Sequence, residues 1–119
     1  AQKAALKCFT SSSLAVCESR RMTLVKRKDI VLNGLQQCGL NVPVVPDSAF
    51  YVYIDVSHTG LTAMDFCERV LQEAHVALTP SNDFGECGNQ HFVRLSFASS
   101  EEDLRLGMER LAAFMRSIV

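Results

Sequence analysis

Long apolar runs are missing from this chain: no stretch approaches the roughly 18 residues needed to cross a bilayer. Its first residues, AQKAALKCF, also lack the basic, apolar and small segments that make up a signal peptide. A protein of the cytoplasm, with no membrane partner, is the expectation. An excess of charge of one sign is missing too. Twelve Lys and Arg stand against thirteen Asp and Glu, a formal net charge of -1, so no basic surplus is available to hold a nucleic acid. The five cysteines, Cys8, Cys17, Cys38, Cys67 and Cys87, are odd in number and contain no C-x-x-C pair. That usage fits reduced thiols and argues against a disulfide framework or a zinc site. His58, His75 and His91 are scattered without ligand spacing, so no metal site is expected.

What the chain does have is apolar residues: 48% of 119 residues is enough for one core but not for two domains. Residues 1–13 read as a short helix-prone stretch running into a polar cluster. A helix is then predicted to Cys38, with Leu24, Val31, Leu35 and Cys38 on one side and Gly39 as a left-handed stop. The basic residues Arg20, Arg21, Lys26, Arg27 and Lys28 spread around that cylinder and read as a solvated surface. Leu40–Val45 is read as a short edge strand closed by a turn at Pro46, Asp47 and Ser48.

The next strand is clearer. Phe50, Val52, Ile54 and Val56 form an apolar row, alternating with Tyr51, Tyr53 and Asp55. Thr62 and Asp65 start a helix whose apolar stripe is Phe66, Cys67, Val70, Leu71 and Ala74. Val76–Leu78 is predicted as a brief strand, followed by a turn-rich loop over residues 80–90. Cys87 in that loop is a candidate exposed thiol. A strand from His91 to Ala98 puts Val93, Leu95 and Phe97 on one face and Phe92, Arg94 and Ser96 on the other. Ser99 or Ser100 caps the last helix, whose stripe is Leu104, Met108, Leu111, Met115 and Ile118. The fold class expected is α+β: a two-layer sandwich in which helices cover one face of a small, mostly antiparallel sheet, preceded by a long helix.

Arg94 is the residue that asks for an explanation. A guanidinium cannot shed its charge, so one placed mid-strand among Phe92, Val93, Leu95 and Phe97 needs an anionic partner. Its planar fork matches a carboxylate or phosphate. Spacing alone leaves three readings: an internal acid such as Asp55 or Glu101, a stem laid over the sheet's solvent face, or a ligand.

The segments VKRKDIVLNGL, PDSAFYVYIDVS, FCERVLQEAHVALTPSNDFG and HFVRLSFASSEEDLRLGMERL, in this order, resemble the C-terminal portion of fold-type I, class I and II aminotransferases of the aspartate aminotransferase family. The resemblance implies pyridoxal 5'-phosphate (PLP) as cofactor, and amino acids and 2-oxo acids as substrates. By the same likeness, residues 1–13 are the remnant of a large-domain helix and linker, and residues 14–119 the small C-terminal domain. Arg94 stands in the place of the arginine that binds the substrate α-carboxylate. Phe50 and Tyr51, in the segment Ser48-Ala49-Phe50-Tyr51, and Asn82 and Phe84, in the loop Pro80 to Gly85, stand at pocket-edge positions, with no catalytic residue in this chain.

Ser48, Ser81 and His75 replace residues that are commonly glycine in the family, at tight or left-handed turns. The cofactor lysine and the groups holding its phosphate and ring nitrogen are implied to belong to a large domain and a dimer partner. The 119-residue piece is therefore expected to be inactive alone, to bind no cofactor, and to self-associate through a bared face carrying Tyr51, Tyr53 and Phe92. A PLP-dependent carbon-sulfur β-lyase of the same fold, and a stand-alone amino-acid-binding module, are the competing functions.

Overall fold

The computed structural model describes residues 1–85, 88 and 90–118, and leaves the side chains of Asp83 and Phe84 outside the description. Cys87 also lies outside the described residues. Helix α1, Gln2–Lys7, buries nothing. Helix α2, Ser11–Gln37, begins where the Thr10 hydroxyl accepts the Ser13 N–H. It ends in a Schellman arrangement: Leu40 N–H reaches the Leu35 carbonyl and Gly39 N–H the Gln36 carbonyl. Gly39 takes φ 70 there, a left-handed conformation that costs glycine nothing.

Strands β1 (Tyr51–Asp55), β2 (Thr79–Pro80) and β3 (Phe92–Ser96) form one antiparallel sheet in the order β1-β3-β2. Helix α3, Ala63–Arg69, runs into a π-helical turn at Val70–Ala74, and helix α4, Glu101–Ile118, completes the chain. The capping signals in the sequence are realised. Thr62 Oγ1 accepts Asp65 N–H at 3.2 Å and donates to Asp65 Oδ2 at 2.7 Å. Ser100, rather than Ser99, does the same for Asp103.

One face of the sheet is packed. Val52 and Ile54 from β1 and Val93 and Leu95 from β3 join Val31 and Leu35 of α2, Phe66 of α3, and Leu111, Phe114 and Met115 of α4 in a single core. Each large side chain fully removed from water there contributes about 1.5 to 3 kcal/mol. Helices α2 and α4 approach closely because Gly34 has no side chain: a Cβ built at Gly34 would overlap Met108 Cγ, well inside van der Waals contact. Among the described residues the other face is less covered, and Tyr53, midway along the edge strand β1, remains 43% exposed. The α+β two-layer architecture with a long leading helix is as the sequence predicts.

Four local expectations are corrected. Leu40–Val45 is not a strand; Asn41 makes a lone bridge to Asp55, and Pro43 and Pro46 have no N–H with which to extend the ladder. The brief strand expected at Val76–Leu78 lies instead at Thr79–Pro80, where pairing with Arg94 and Val93 decides it. Phe50 does not continue the buried row of Val52, Ile54 and Val56, being 38% exposed. Leu71 falls at the flank of the stripe that Ala63, Phe66, Cys67, Val70 and Ala74 bury at steps of three and four, and is 52% exposed.

Candidate functional site

The less covered face of the sheet is built by alternation. Because successive residues of a strand point to opposite sides, burying Val93 and Leu95 sends Phe92, Arg94 and Ser96 the other way. On β1 the same rule sends Tyr51, Tyr53 and Asp55 to that side. Arg94 stands in the middle strand, opposite Tyr53 of β1 and Thr79 of β2. It is half-buried. Its guanidinium carbon lies 4.4 Å from the centroid of the Tyr51 ring, well inside the roughly 6 Å limit for a cation–π contact.

Beside this stack is a hollow of about 420 Å³ lined by Pro43, Val44, Pro46, Tyr51, Tyr53 and Phe92. Its walls are largely apolar and aromatic, so a charge brought here is partly shielded from water. The segment 43–46 forms one wall as a result of failing to be a strand. The prolines were the signal in the sequence that pointed to this wall. Lys28 of α2 holds this segment from behind, its Nζ donating to the Pro46 carbonyl at 3.4 Å.

The other site residues named from the sequence are distributed as follows. Tyr51 is against Arg94. Phe50 precedes it and meets the Tyr51 ring with centroids 4.2 Å apart, tilted by 46°. Phe50 also lines a second groove of about 520 Å³, between α2 and residues 47–50. Asn82 is exposed on the short helical turn Ser81–Phe84 that follows β2 and packs against β3. The Phe84 side chain is outside the described part. Asp55, at the far end of β1, accepts Ser57 N–H at 2.9 Å through Oδ1. Hydrogen bonds from Ser57 hold its carboxyl below the usual carboxylate range, and so it stays ionised.

Of the three residues standing where glycine is common, His75 takes a left-handed conformation, φ 56, at the end of the π-helical turn. At the start of β1 the left-handed residue is Ala49, φ 60, next to Ser48. Ser81 is buried on the turn after β2. Among the described residues, no group of three or more His, Cys, Asp or Glu is placed to hold a metal, and no helix is long and apolar enough to cross a membrane.

Residues 1–111 match the sequence model of the family described as aminotransferase class I and II. The valine–pyruvate aminotransferase of Mycobacterium tuberculosis is 31% identical over 116 residues, covering 98% of this chain and 30% of that protein. The aspartate/prephenate aminotransferase of Thermus thermophilus is 42% identical over 114 residues, covering 94% and 28%. Among solved structures, an aminotransferase from Mycobacterium tuberculosis superposes with a TM-score of 0.90 at 31% identity, over 96% of this chain and 30% of that one. Thermus thermophilus aspartate aminotransferase with maleate gives 0.82 at 39% identity, over 92% and 28%. This chain thus spans about 30% of the length of the relatives it matches. With the family model matching residues 1–111, and relatives and solved structures more than 30% identical over nearly all of the chain, the chain belongs to the class I and II aminotransferase family.

Proposed function

We propose that these residues form the C-terminal small domain of a PLP-dependent aminotransferase that moves an amino group between an amino acid and a 2-oxo acid. In this reading residues 14–119 are the domain and residues 1–13 its join to a large domain. Arg94 binds the substrate α-carboxylate. The observation that carries the proposal is the half-buried guanidinium of Arg94 on the sheet face turned away from the core, over the Tyr51 ring beside an apolar hollow. A fixed charge and a planar fork in such a place suit a carboxylate brought in with its substrate. That a relative from Thermus thermophilus has been solved with maleate, a dicarboxylate, is consistent with this chemistry.

PLP supplies an aldehyde that takes up the amino group, and it needs a lysine to hold it. The lysines here do not fit that task. Lys3 and Lys7 are exposed on α1, Lys26 is exposed on α2, and the Lys28 ammonium is engaged by the Pro46 carbonyl. As the family resemblance implies, the cofactor site belongs to a large domain and is completed by the second subunit of a homodimer. Exposed apolar residues along α1 and the first half of α2, Leu6, Phe9, Leu14 and Val16, suit a surface covered by that large domain. Pocket-edge roles go to Phe50, Tyr51, Asn82 and Phe84. The thiols of Cys8, Cys17 and Cys38, outside any disulfide, suit the reducing cytoplasm.

This chain's part in catalysis is positional. Clamping the carboxylate fixes which bond at the α-carbon faces the cofactor, and the aromatic wall keeps water from competing for the clamp. The full-length protein is expected to turn over an amino acid only when a 2-oxo acid such as 2-oxoglutarate is present. The 119-residue chain alone is expected to be inactive. Turnover without any 2-oxo acid, releasing the amino acid's sulfur substituent, overturns the aminotransferase reading in favour of a β-lyase.

A further inference from the structure

We infer that Tyr51 is a positioning residue for Arg94: its ring holds the guanidinium so that the two-pronged edge is presented to a carboxylate. The inference rests on the carboxylate-binding reading of Arg94 and deepens it. In the β1–β3 register Arg94 is opposite Tyr53, and Tyr51 is opposite Ser96. Tyr51 is thus the diagonal neighbour of Arg94 on the same sheet face, a separation that a long side chain and an aromatic ring can bridge. The guanidinium carbon sits over the ring, 4.4 Å from its centroid.

Stacking on the ring and clamping a carboxylate are compatible because they use different parts of the guanidinium. In a stacked cation–π contact the ring meets the flat face of a guanidinium, while hydrogen bonds to a carboxylate lie in its plane, along the N–H edge. Stacking therefore restricts a flexible stem without consuming any donor the substrate needs. The ring is itself fixed. It meets Phe50 at 4.2 Å between centroids, and the backbone at Phe50 is pinned by the Phe97 N–H donating to its carbonyl at 2.9 Å. The left-handed turn at Ala49, φ 60, brings the chain into this aromatic pair. Because only the face of the ring is used, the Tyr51 hydroxyl is dispensable for this task.

The test uses the full-length protein loaded with PLP, measuring KM and kcat for an amino-acid donor and for the matching amino-acid amide, which lacks the carboxylate charge. Tyr51→Phe keeps KM near the wild-type value. Tyr51→Leu raises the amino-acid KM roughly 3- to 30-fold, the worth of one partly desolvated cation–π contact, and leaves kcat nearly unchanged. Kinetics with the amide are unaffected. Tyr51→Met, similar in volume but without a π face, replaces Tyr51→Leu if the latter fails to fold. Equal losses with Tyr51→Phe and Tyr51→Leu, or a loss shared by the amide, overturn the inference. An unchanged KM in Tyr51→Leu while Arg94→Ala raises it strongly removes the role of Tyr51 but keeps that of Arg94. An unchanged KM in Arg94→Ala removes both.

Discussion

Arg94 of β3 and Tyr51 of β1 face each other diagonally across two antiparallel strands, guanidinium over ring at 4.4 Å. The pair sits on the face of the sheet turned away from the helices and the core. A charge that is permanent, partly shielded and held against an aromatic surface is prepared for an anion that arrives from outside the domain.

Arg94→Ala in the full-length protein is expected to lower kcat/KM by roughly 30- to 5,000-fold. Removing one partner of a buried, hydrogen-bonded charge pair costs about 2 to 5 kcal/mol. Arg94→Lys is expected to recover little, since an ammonium is a point charge without the planar fork. Steady-state kinetics of the two variants check this, and wild-type kcat/KM in either contradicts it.

Gly34→Ala is expected to destabilise the fold. The new Cβ would meet Met108 at its Cγ, its sulfur and its Cβ, so a rotamer change at Met108 alone does not make room and α2 has to move away from α4. Overpacking of this kind costs about 1 to 3 kcal/mol. Thermal unfolding should show a drop of several degrees, partly restored by Met108→Ala; an unchanged midpoint means that the helices have slack.

At His75 the direction reverses. An L-residue held at φ 56 is strained by about 1 kcal/mol relative to glycine, so His75→Gly is expected to raise the melting temperature slightly. A lowered midpoint would show that the imidazole makes contacts worth more than the backbone strain.

Asp55 gives a pH-dependent prediction. Hydrogen bonds from Ser57 hold its folded pKa below the unfolded value near about 4. For a depressed carboxylate pKa, the stabilisation is fully present above the unfolded pKa and is lost as pH falls through the folded one. Asp55→Asn is therefore expected to melt lower than wild type near neutral pH, with the gap closing as pH drops below about 4. Melting curves across that range decide it; a gap of constant size means the ionised carboxyl is not the cause.

The local rules explain why much of this was legible. Thr62 with Asp65 and Ser100 with Asp103 are start signals written within four residues, and the helices begin where they stand. The alternation around Val93 and Leu95 already sends Arg94 away from the core. What local rules missed depends on partners distant in sequence. A two-residue strand at Thr79–Pro80 exists only because β3 is beside it. The segment after Leu40 lost its strand character to its prolines and became the wall of a hollow. Leu71 is exposed because the stripe that meets the core, Ala63, Phe66, Cys67, Val70 and Ala74, is narrower than its apolar neighbours suggest.

The sequence by itself determined the α+β class, the helix starts, the two main strands and the outward direction of Arg94, because capping, periodicity and side-chain alternation act over a few residues. Only the tertiary structure decided that Tyr51 lies under Arg94 and that Gly34 lets α2 and α4 meet. Those outcomes depend on strand register and helix packing, which bring together residues tens of positions apart and are fixed by the whole core at once.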